Sequence, residues 1–139
     1  MREGNRHDGV RRMRDVEQSI LDDLHSLGDP MLAYAYLIEC GRHLPPMDGH
    51  LKSDKTVVKE CEVNTWFAIV EDEKGDERFI ADSESLIVRG ALSLIQEIIE
   101  AGTTSSRSEY EWGLLSDPVF TKSFSQAQLQ GLRSILSRL

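Results

Sequence analysis

Apolar residues recur every three or four positions early in the chain, and this spacing predicts amphipathic α-helices. A first apolar stripe runs from Val16 to Leu27 and is followed by Gly28, a residue type favoured just past a helix C-terminus. Asp29 and Pro30 then form the N-cap and first-turn pair of a second helix. The core-facing stripe of this second helix consists of Ala33, Tyr36, Leu37 and Cys40.

Short β-rich runs replace the helical period in the middle of the chain. Residues 47–62 are polar and charged without a clear period, which indicates a loop. The runs NTWFAIV (64–70) and RFIAD (78–82) flank a charged segment that contains Gly75, and they predict an antiparallel hairpin. Residues 56–58 are a candidate third strand.

The densest apolar pattern lies in the second half and predicts a long central buried helix. Asp82 or Ser83 is expected to cap it, and Gly102 to end it. Its apolar residues are Leu86, Ile87, Leu92, Leu94, Ile95, Ile98 and Ile99.

Two capping boxes predict further helices, one from Ser108 with Glu111 and one from Ser125 with Gln128. The apolar stripe of the last helix consists of Leu129, Leu132, Ile135, Leu136 and Leu139. The sequence therefore predicts an α+β domain: two N-terminal helices, a small antiparallel sheet of about three strands, then helices that include a long buried one and an amphipathic C-terminal one.

Charge and composition narrow the classes of partner. The chain has 139 residues, 40% hydrophobic content and a net charge of -8, which fits one globular domain and argues against nucleic acid or an anionic membrane as the main partner. It contains neither a membrane-spanning stretch nor a secretory signal, so we expect a cytoplasmic protein. Residues 1–15 carry five arginines and almost no apolar residues, so we interpret them as a flexible basic arm preceding a domain at 16–139.

Few side chains suggest chemistry. Phosphate-binding glycine motifs and a hydrolase nucleophile motif are missing from the sequence. Cys40, His43, His50 and Cys61 are potential metal ligands, but their intervals match no common zinc pattern. Cys61 lies among charged residues in the predicted loop, so we expect an accessible thiol there, whereas Cys40 is expected to be a quiet core residue.

Four segments resemble the SufE/CsdE family of sulfur-acceptor proteins in order and spacing. They are YLIECGRHLPP (36–46), CEVNTW (61–66), ADSESLIVRGAL (81–92) and GLRSIL (131–136). The resemblance covers residues 16–139. It implies a carrier rather than an enzyme, in which Cys61 accepts sulfane sulfur as a persulfide from a cysteine desulfurase. The pyridoxal phosphate would belong to that partner, which the chain would stimulate, and sulfur would pass on to an iron-sulfur scaffold or another recipient.

The resemblance also assigns supporting roles and shows two departures. Arg89, Asp82, Trp66 and Gln128 fall at positions associated with partner docking or support of the cysteine loop. The family commonly has glycine where this chain has Glu60, and arginine where it has Gln128. Two alternatives therefore remain: a binding module that regulates a desulfurase without carrying sulfur, and a small metal-binding domain.

Overall fold

The computed structural model describes the backbone of residues 2–139 and the side chains of residues 7–139. Within this range the fold is α+β, as predicted, with six α-helices and one two-stranded antiparallel sheet. The helices are α1 (Arg2–Leu27), α2 (Pro30–His43), α3 (Leu86–Ala101), α4 (Thr104–Arg107), α5 (Pro118–Thr121) and α6 (Gln126–Ser137). The strands are β1 (Thr65–Glu71) and β2 (Glu77–Ser83), and single 3-10 turns lie at Gly49–Leu51 and Leu114–Ser116.

The first helix is longer than its apolar pattern indicates. It ends as predicted before Gly28, whose φ of 66° is readily adopted only by glycine. At its other end it continues through the expected boundary between residues 15 and 16, and Met13 is fully buried. Part of the segment interpreted as an arm therefore contributes to the core, where Val10 packs as well as Met13 and Arg12 donates a hydrogen bond to the Ala101 carbonyl.

The long helix α3 is the centre of the core, as its sequence predicts, and α2 crosses it closely. A Cβ at Gly90 would lie 2.1 Å from the Leu37 carbonyl oxygen, so only glycine permits this approach. The prediction that Asp82 or Ser83 caps this helix is wrong: its N-cap is Ser85, two residues after Ser83, and the Ser85 hydroxyl accepts from the Val88 amide. Asp82 and Ser83 belong instead to the end of β2.

The sheet has two strands in the described part of the chain, and the expectation of about three is wrong. Thr65 pairs with Ser83 and Glu71 with Glu77 across the hairpin. The candidate third strand is reduced to a single bridge between Val57 and Trp66. Turns immediately before and after this bridge leave no room for a longer pairing.

The helix predicted from Ser108 and Glu111 is absent from residues 7–139. Ser108 instead ends α4, whose own capping box joins Thr103 and Ser106. Glu17, a buried carboxylate on α1, accepts hydrogen bonds from the Gly113 and Leu114 amides at 3.0 and 2.9 Å. These amides are thereby unavailable to a helix, which explains the irregular backbone. None of the described helices combines the length and apolarity that crossing a bilayer requires.

Candidate functional site

The segment that carries Cys61 is irregular and tied down at both ends; we call residues 59–64 the cysteine loop. Before it, the Val58 amide donates to the Thr65 carbonyl at 2.7 Å. After it, the Glu84 amide donates to the Asn64 carbonyl at 2.9 Å, and the Asn64 side chain returns a bond to the Glu84 carboxylate. The loop is therefore a short bulge beside the open end of the hairpin, with Cys61 near its middle.

Cys61 packs against helix α6 and is not the freely accessible thiol that its polar neighbours suggest. Its side chain is partly buried at the edge of the hydrophobic core. A Cβ added at Gly131 would lie 2.0 Å from the Cys61 Sγ atom. The sulfur therefore occupies the space above a glycine, where any larger residue would collide with it.

This environment makes the thiol a weak acid. Burial raises the pKa of Cys61 above its ordinary value, and the neighbouring Glu60 carboxylate raises it further, while the Thr65 side chain acts in the opposite direction. An unperturbed cysteine is only about 3% thiolate at pH 7. In the closed structure the reactive form is therefore even rarer.

Glu60, the departure from the family's glycine, is engaged in an ion pair. Its two carboxylate oxygens accept from one Nη atom of Arg138 at 3.2 and 3.3 Å. The pKa of Glu60 is lowered, chiefly by a hydrogen bond from its own backbone N–H and then by Ser134 and Arg138. Positive φ values are confined to glycines within the described residues, so Glu60 is not strained in a left-handed conformation.

Asp82 on β2 and Arg89 on α3, the predicted docking or support residues, form a mostly buried ion pair. The Asp82 carboxylate accepts from the Met47 and Ser83 amides at 3.0 and 2.8 Å and pairs closely with Arg89. Burial opposes its ionisation, but these bonds prevail and lower the pKa of Asp82. Arg89 also donates to the carbonyls of Gly41 and Leu44, so its charge ties α2 to α3.

Trp66 and Lys52 extend this cluster to the surface beside β1. The Lys52 ammonium lies 4.5 Å from the centre of the Trp66 ring and 3.2 Å from the Asp82 carboxylate. A cation held over an aromatic face in this way is favourable. The tryptophan of the CEVNTW segment is thereby connected to Asp82 through Lys52.

Comparison with known protein families shows which family the chain belongs to. Residues 18–139 match the family model described as "SufE: Fe-S metabolism associated domain". The chain belongs to the SufE family. This confirms the resemblance seen in the four sequence segments, and it covers nearly the whole chain.

Named relatives of the SufE family are 28 or 29% identical to this chain over the aligned regions. The sulfur acceptor protein CsdE of Escherichia coli (strain K12) is 28% identical over 103 residues, which are 73% of this chain and 70% of that protein. The cysteine desulfuration protein SufE of Wigglesworthia glossinidia brevipalpis is 29% identical over 62 residues, 45% of this chain and 43% of the relative. The chain thus spans under half the length of the second relative.

Two further matches extend the comparison. SufE-like protein 1, chloroplastic/mitochondrial, of Arabidopsis thaliana is 28% identical over 78 residues, 56% of this chain but only 21% of that protein. A solution structure of a hypothetical protein from Thermus thermophilus matches with a TM-score of 0.66 and 21% identity, covering 89% of this chain and 90% of the other. That likeness concerns the fold alone.

Gln128 departs from the arginine of the SufE pattern and has a local role. Its side-chain oxygen accepts from the Ser125 amide at 2.9 Å, while the Ser125 hydroxyl accepts from the Gln128 amide at 3.1 Å. This is the capping box that the sequence predicts for α6. Gln128 therefore acts on the cysteine loop only indirectly, by fixing the start of the helix that carries Gly131.

Cys40 differs from expectation because it is only partly buried. It lines a surface cavity of about 440 Å³ together with Tyr36, Glu39, His43 and Glu97. Burial raises the pKa of Cys40, and a hydrogen bond with Tyr36 partly offsets that effect. Burial alone therefore does not distinguish the two thiols. The backbone does, since Cys40 is fixed in the last turns of α2 and Cys61 lies in an irregular loop.

Metal ligands do not converge in the described part of the structure. No group of three or more His, Cys, Asp or Glu side chains that could hold a metal ion occurs among residues 7–139. Cys40, His43, His50 and Cys61 therefore do not form such a cluster. Both cysteines are free thiols.

Sequence reasoning missed Gly131 and Arg138 as parts of the site. A glycine inside an apolar helical stripe lowers helix propensity, and that cost was a usable signal for a close contact. Arg138 gave no such signal, since its partner Glu60 is 78 residues away.

Proposed function

We propose that this chain is a sulfur acceptor whose Cys61 takes sulfane sulfur from a cysteine desulfurase. The observation that carries the proposal is the position of Cys61, on an irregular loop in the CEVNTW segment, where the resemblance to the SufE/CsdE family implies the acceptor cysteine. A relative named as a sulfur acceptor and another named as a cysteine desulfuration protein support it. The chain itself acts as a carrier and activator, and the pyridoxal phosphate works in the desulfurase.

The transfer is a thiol exchange in which one S–S bond breaks and another forms. The Cys61 thiolate attacks the terminal sulfur of the persulfide on the desulfurase cysteine. A new S–S bond joins that sulfur to Cys61, and the desulfurase cysteine leaves as a thiolate. The product is a Cys61 persulfide, which passes its outer sulfur to a later acceptor in iron-sulfur cluster assembly.

The closed position of Cys61 requires a movement before this chemistry. The sulfur sits over Gly131 and its thiolate is disfavoured by burial. The loop has no regular hydrogen-bonding ladder to lose, so it is the cheapest part of the site to displace. We therefore expect docking of the desulfurase to lift the loop from α6 and expose the thiol.

A second candidate is a regulator that binds a desulfurase without accepting sulfur. It is favoured by the covered thiol and by the two glutamates that flank Cys61. Substitution of Cys61 distinguishes the candidates. A carrier loses sulfur uptake in Cys61→Ser while desulfurase binding persists, whereas a pure regulator retains its effect on desulfurase turnover.

The experiment measures binding and cysteine turnover by a purified desulfurase with wild type, Cys61→Ser and Cys40→Ser. We expect binding by all three and stimulated turnover with wild type and Cys40→Ser only. Full stimulation by Cys61→Ser would reject the carrier and favour the regulator. Stimulation lost only in Cys40→Ser would place the chemistry at the other thiol.

A further inference from the structure

Two residues of α6 and its C-cap residue, aligned on one side, contact the cysteine loop. Gly131 accommodates the Cys61 sulfur, Ser134 acts on the Glu60 carboxylate, and Arg138 forms the ion pair with it. Their spacing of three and then four positions aligns them along one side of the helix. The helix end therefore contacts two adjacent loop residues: Cys61 packs over Gly131, and Glu60 forms an ion pair with Arg138.

The Arg138 guanidinium has a second contact besides Glu60. It is the C-cap residue of α6 and lies 5.8 Å from the centre of the Phe67 ring on β1. The aromatic face thus supports the cation from one side while the carboxylate binds it from another. The pair is nevertheless about half exposed, at 44% for Arg138 and 45% for Glu60. Such a pair stabilises weakly and is easily broken, as a reversible closure requires.

We propose that Arg138 is a positioning residue that, through Glu60, holds the cysteine loop closed over α6 and limits access to the Cys61 thiol. Opening of the pair frees Glu60, and the sulfur is released from its place above Gly131. Arg138 is not a catalytic residue, since it touches Glu60 and not the sulfur. The biological role of this closure rests on the proposed function, but the closure itself can be tested with a small alkylating reagent and without a desulfurase.

Two effects on Cys61 have to be separated in that test. Glu60 raises the pKa of the Cys61 thiol, Lys59 and Glu62 are the other charged residues of the loop, and Arg138 at the end of α6 pairs with Glu60. Loss of a carboxylate lowers the pKa of Cys61, whereas loss of the closure raises the reactivity of the thiolate itself. A profile of alkylation rate against pH resolves both, because its midpoint reports the pKa and its plateau reports access.

Glu62 provides a matched control. Like Glu60 it is one residue from Cys61, yet it forms no hydrogen bond or ion pair with any residue that the structure describes. Glu60→Gln and Glu62→Gln are made in a Cys40→Ser background so that one thiol reacts. Both variants should lower the midpoint pH of the alkylation profile, and at pH values below that midpoint the alkylation rate should rise by roughly twofold. Only Glu60→Gln should also raise the plateau, by about threefold, as the open population grows.

Arg138→Gln gives the complementary result. It breaks the same pair but leaves the Glu60 charge beside the thiol, so the plateau should rise while the midpoint stays at or above that of wild type. The double variant Glu60→Gln with Arg138→Gln should have the plateau of either single variant, because the two residues act through one contact. Added salt should raise the wild-type plateau and leave that of Glu60→Gln unchanged, since the Debye length is only about 8 Å at physiological ionic strength.

Equal plateaus in wild type, Glu60→Gln and Arg138→Gln would overturn the proposal, and so would the same rise in Glu62→Gln. Unchanged far-ultraviolet circular dichroism and melting temperature confirm that each variant is folded; both partners are surface residues. The outcomes are distinct from failure of the proposed function. If Glu60→Gln and Arg138→Gln raise the plateau but wild type takes up no persulfide on Cys61, the closure is supported and the carrier role is rejected. If wild type takes up persulfide but the plateaus do not change, the carrier role is supported and the closure is rejected.

Discussion

At the scale of single residues, the surroundings of Cys61 keep its thiol protonated and partly covered. The Cys61 thiol is partly buried, its pKa is raised by burial and by Glu60, and Gly131 leaves just enough space for the sulfur. A carrier that was permanently reactive would lose its thiol to any oxidant or electrophile. If Cys61 is the sulfur acceptor that we propose, its covered and protonated state would protect it from that loss until a desulfurase docks.

The raised pKa predicts a shifted pH profile for alkylation. Only the thiolate reacts, so a raised pKa moves the half-maximal rate to higher pH than the value of about 8.5 for an unperturbed cysteine. In Cys40→Ser protein we expect the native midpoint above that value and a return to it in denaturant, where burial is lost. The measurement is the rate of iodoacetamide reaction between about pH 7 and 10. A native midpoint at or below the denatured one would contradict the buried position of Cys61.

The raised pKa of Cys61 also makes the stability of the fold depend on pH. Because the folded-state pKa of Cys61 lies above the unfolded value, the stabilisation linked to the neutral thiol is complete below the unfolded pKa. It is lost as the pH rises through the folded pKa. Cys61→Ser should therefore remove part of the alkaline loss of stability, which urea denaturation at a series of alkaline pH values measures.

At the scale of elements, helix α6 and the loop form a unit that depends on one missing side chain. Gly131 interrupts an otherwise good helix, and its Cβ position is taken by the Cys61 sulfur. The helix gives up propensity to gain this contact. The Ser125 and Gln128 capping box fixes the start of α6, and this sets the position of Gly131 along the helix relative to the loop.

Gly131→Ala should therefore open the site. The new methyl group would lie 2.0 Å from the Cys61 Sγ atom, so the sulfur and its loop have to move outward. We expect alkylation of Cys61 to become several-fold faster, while helix propensity favours alanine by about 1 kcal/mol and offsets the lost packing. Gly49→Ala is the control, because its Cβ would meet no atom within 4 Å. Identical alkylation rates in the two variants would show that the sulfur does not depend on Gly131.

The Asp82 and Arg89 cluster is predicted to support structure at the junction of α2, β2 and α3. The Arg89 side chain is 16% exposed and Asp82 only 6%. Arg89→Ala leaves a buried carboxylate short of one cation and two carbonyls short of a donor, so we expect a loss of about 3 kcal/mol in unfolding free energy. Urea denaturation checks this against Arg11→Ala, which breaks an exposed pair with Asp8. If both variants lose the same small amount, the support role is wrong.

This cluster also limits what Arg89 variants reveal about docking. A charge reversal at Arg89 would disturb the fold before it disturbed a partner surface, since the guanidinium binds Gly41 and Leu44. The docking role of Arg89 stays a prediction. Lys52 and Trp66, which reach the surface from the same cluster, are the better positions to test it.

At the scale of the whole molecule, local signals were readable from the sequence and distant pairings were not. The caps at Asp29 and Ser125, the hairpin around Gly75 and the central helix α3 are each specified by neighbouring residues, and all are confirmed. The Glu60 and Arg138 pair joins residues 78 positions apart. Nothing in local periodicity identifies such a partner.

The Glu17 contact shows the same limit in the fold. Its carboxylate binds amides 96 and 97 positions further along the chain. That contact removes the helix that Ser108 and Glu111 predict. In the candidate site, likewise, the sequence predicts a role for Cys61, but the covered state of its thiol depends on Gly131 in a helix that lies far along the chain.

The central claim, that Cys61 carries sulfur, is tested most directly by mass spectrometry of both thiols. The wild-type protein is incubated with a cysteine desulfurase and cysteine, then alkylated and digested. The account predicts an added mass of about 32 Da, one sulfur atom, on the Cys61 peptide and little on the Cys40 peptide. Omission of cysteine should abolish the adduct. Added sulfur on Cys40 with Cys61 unmodified would contradict the claim.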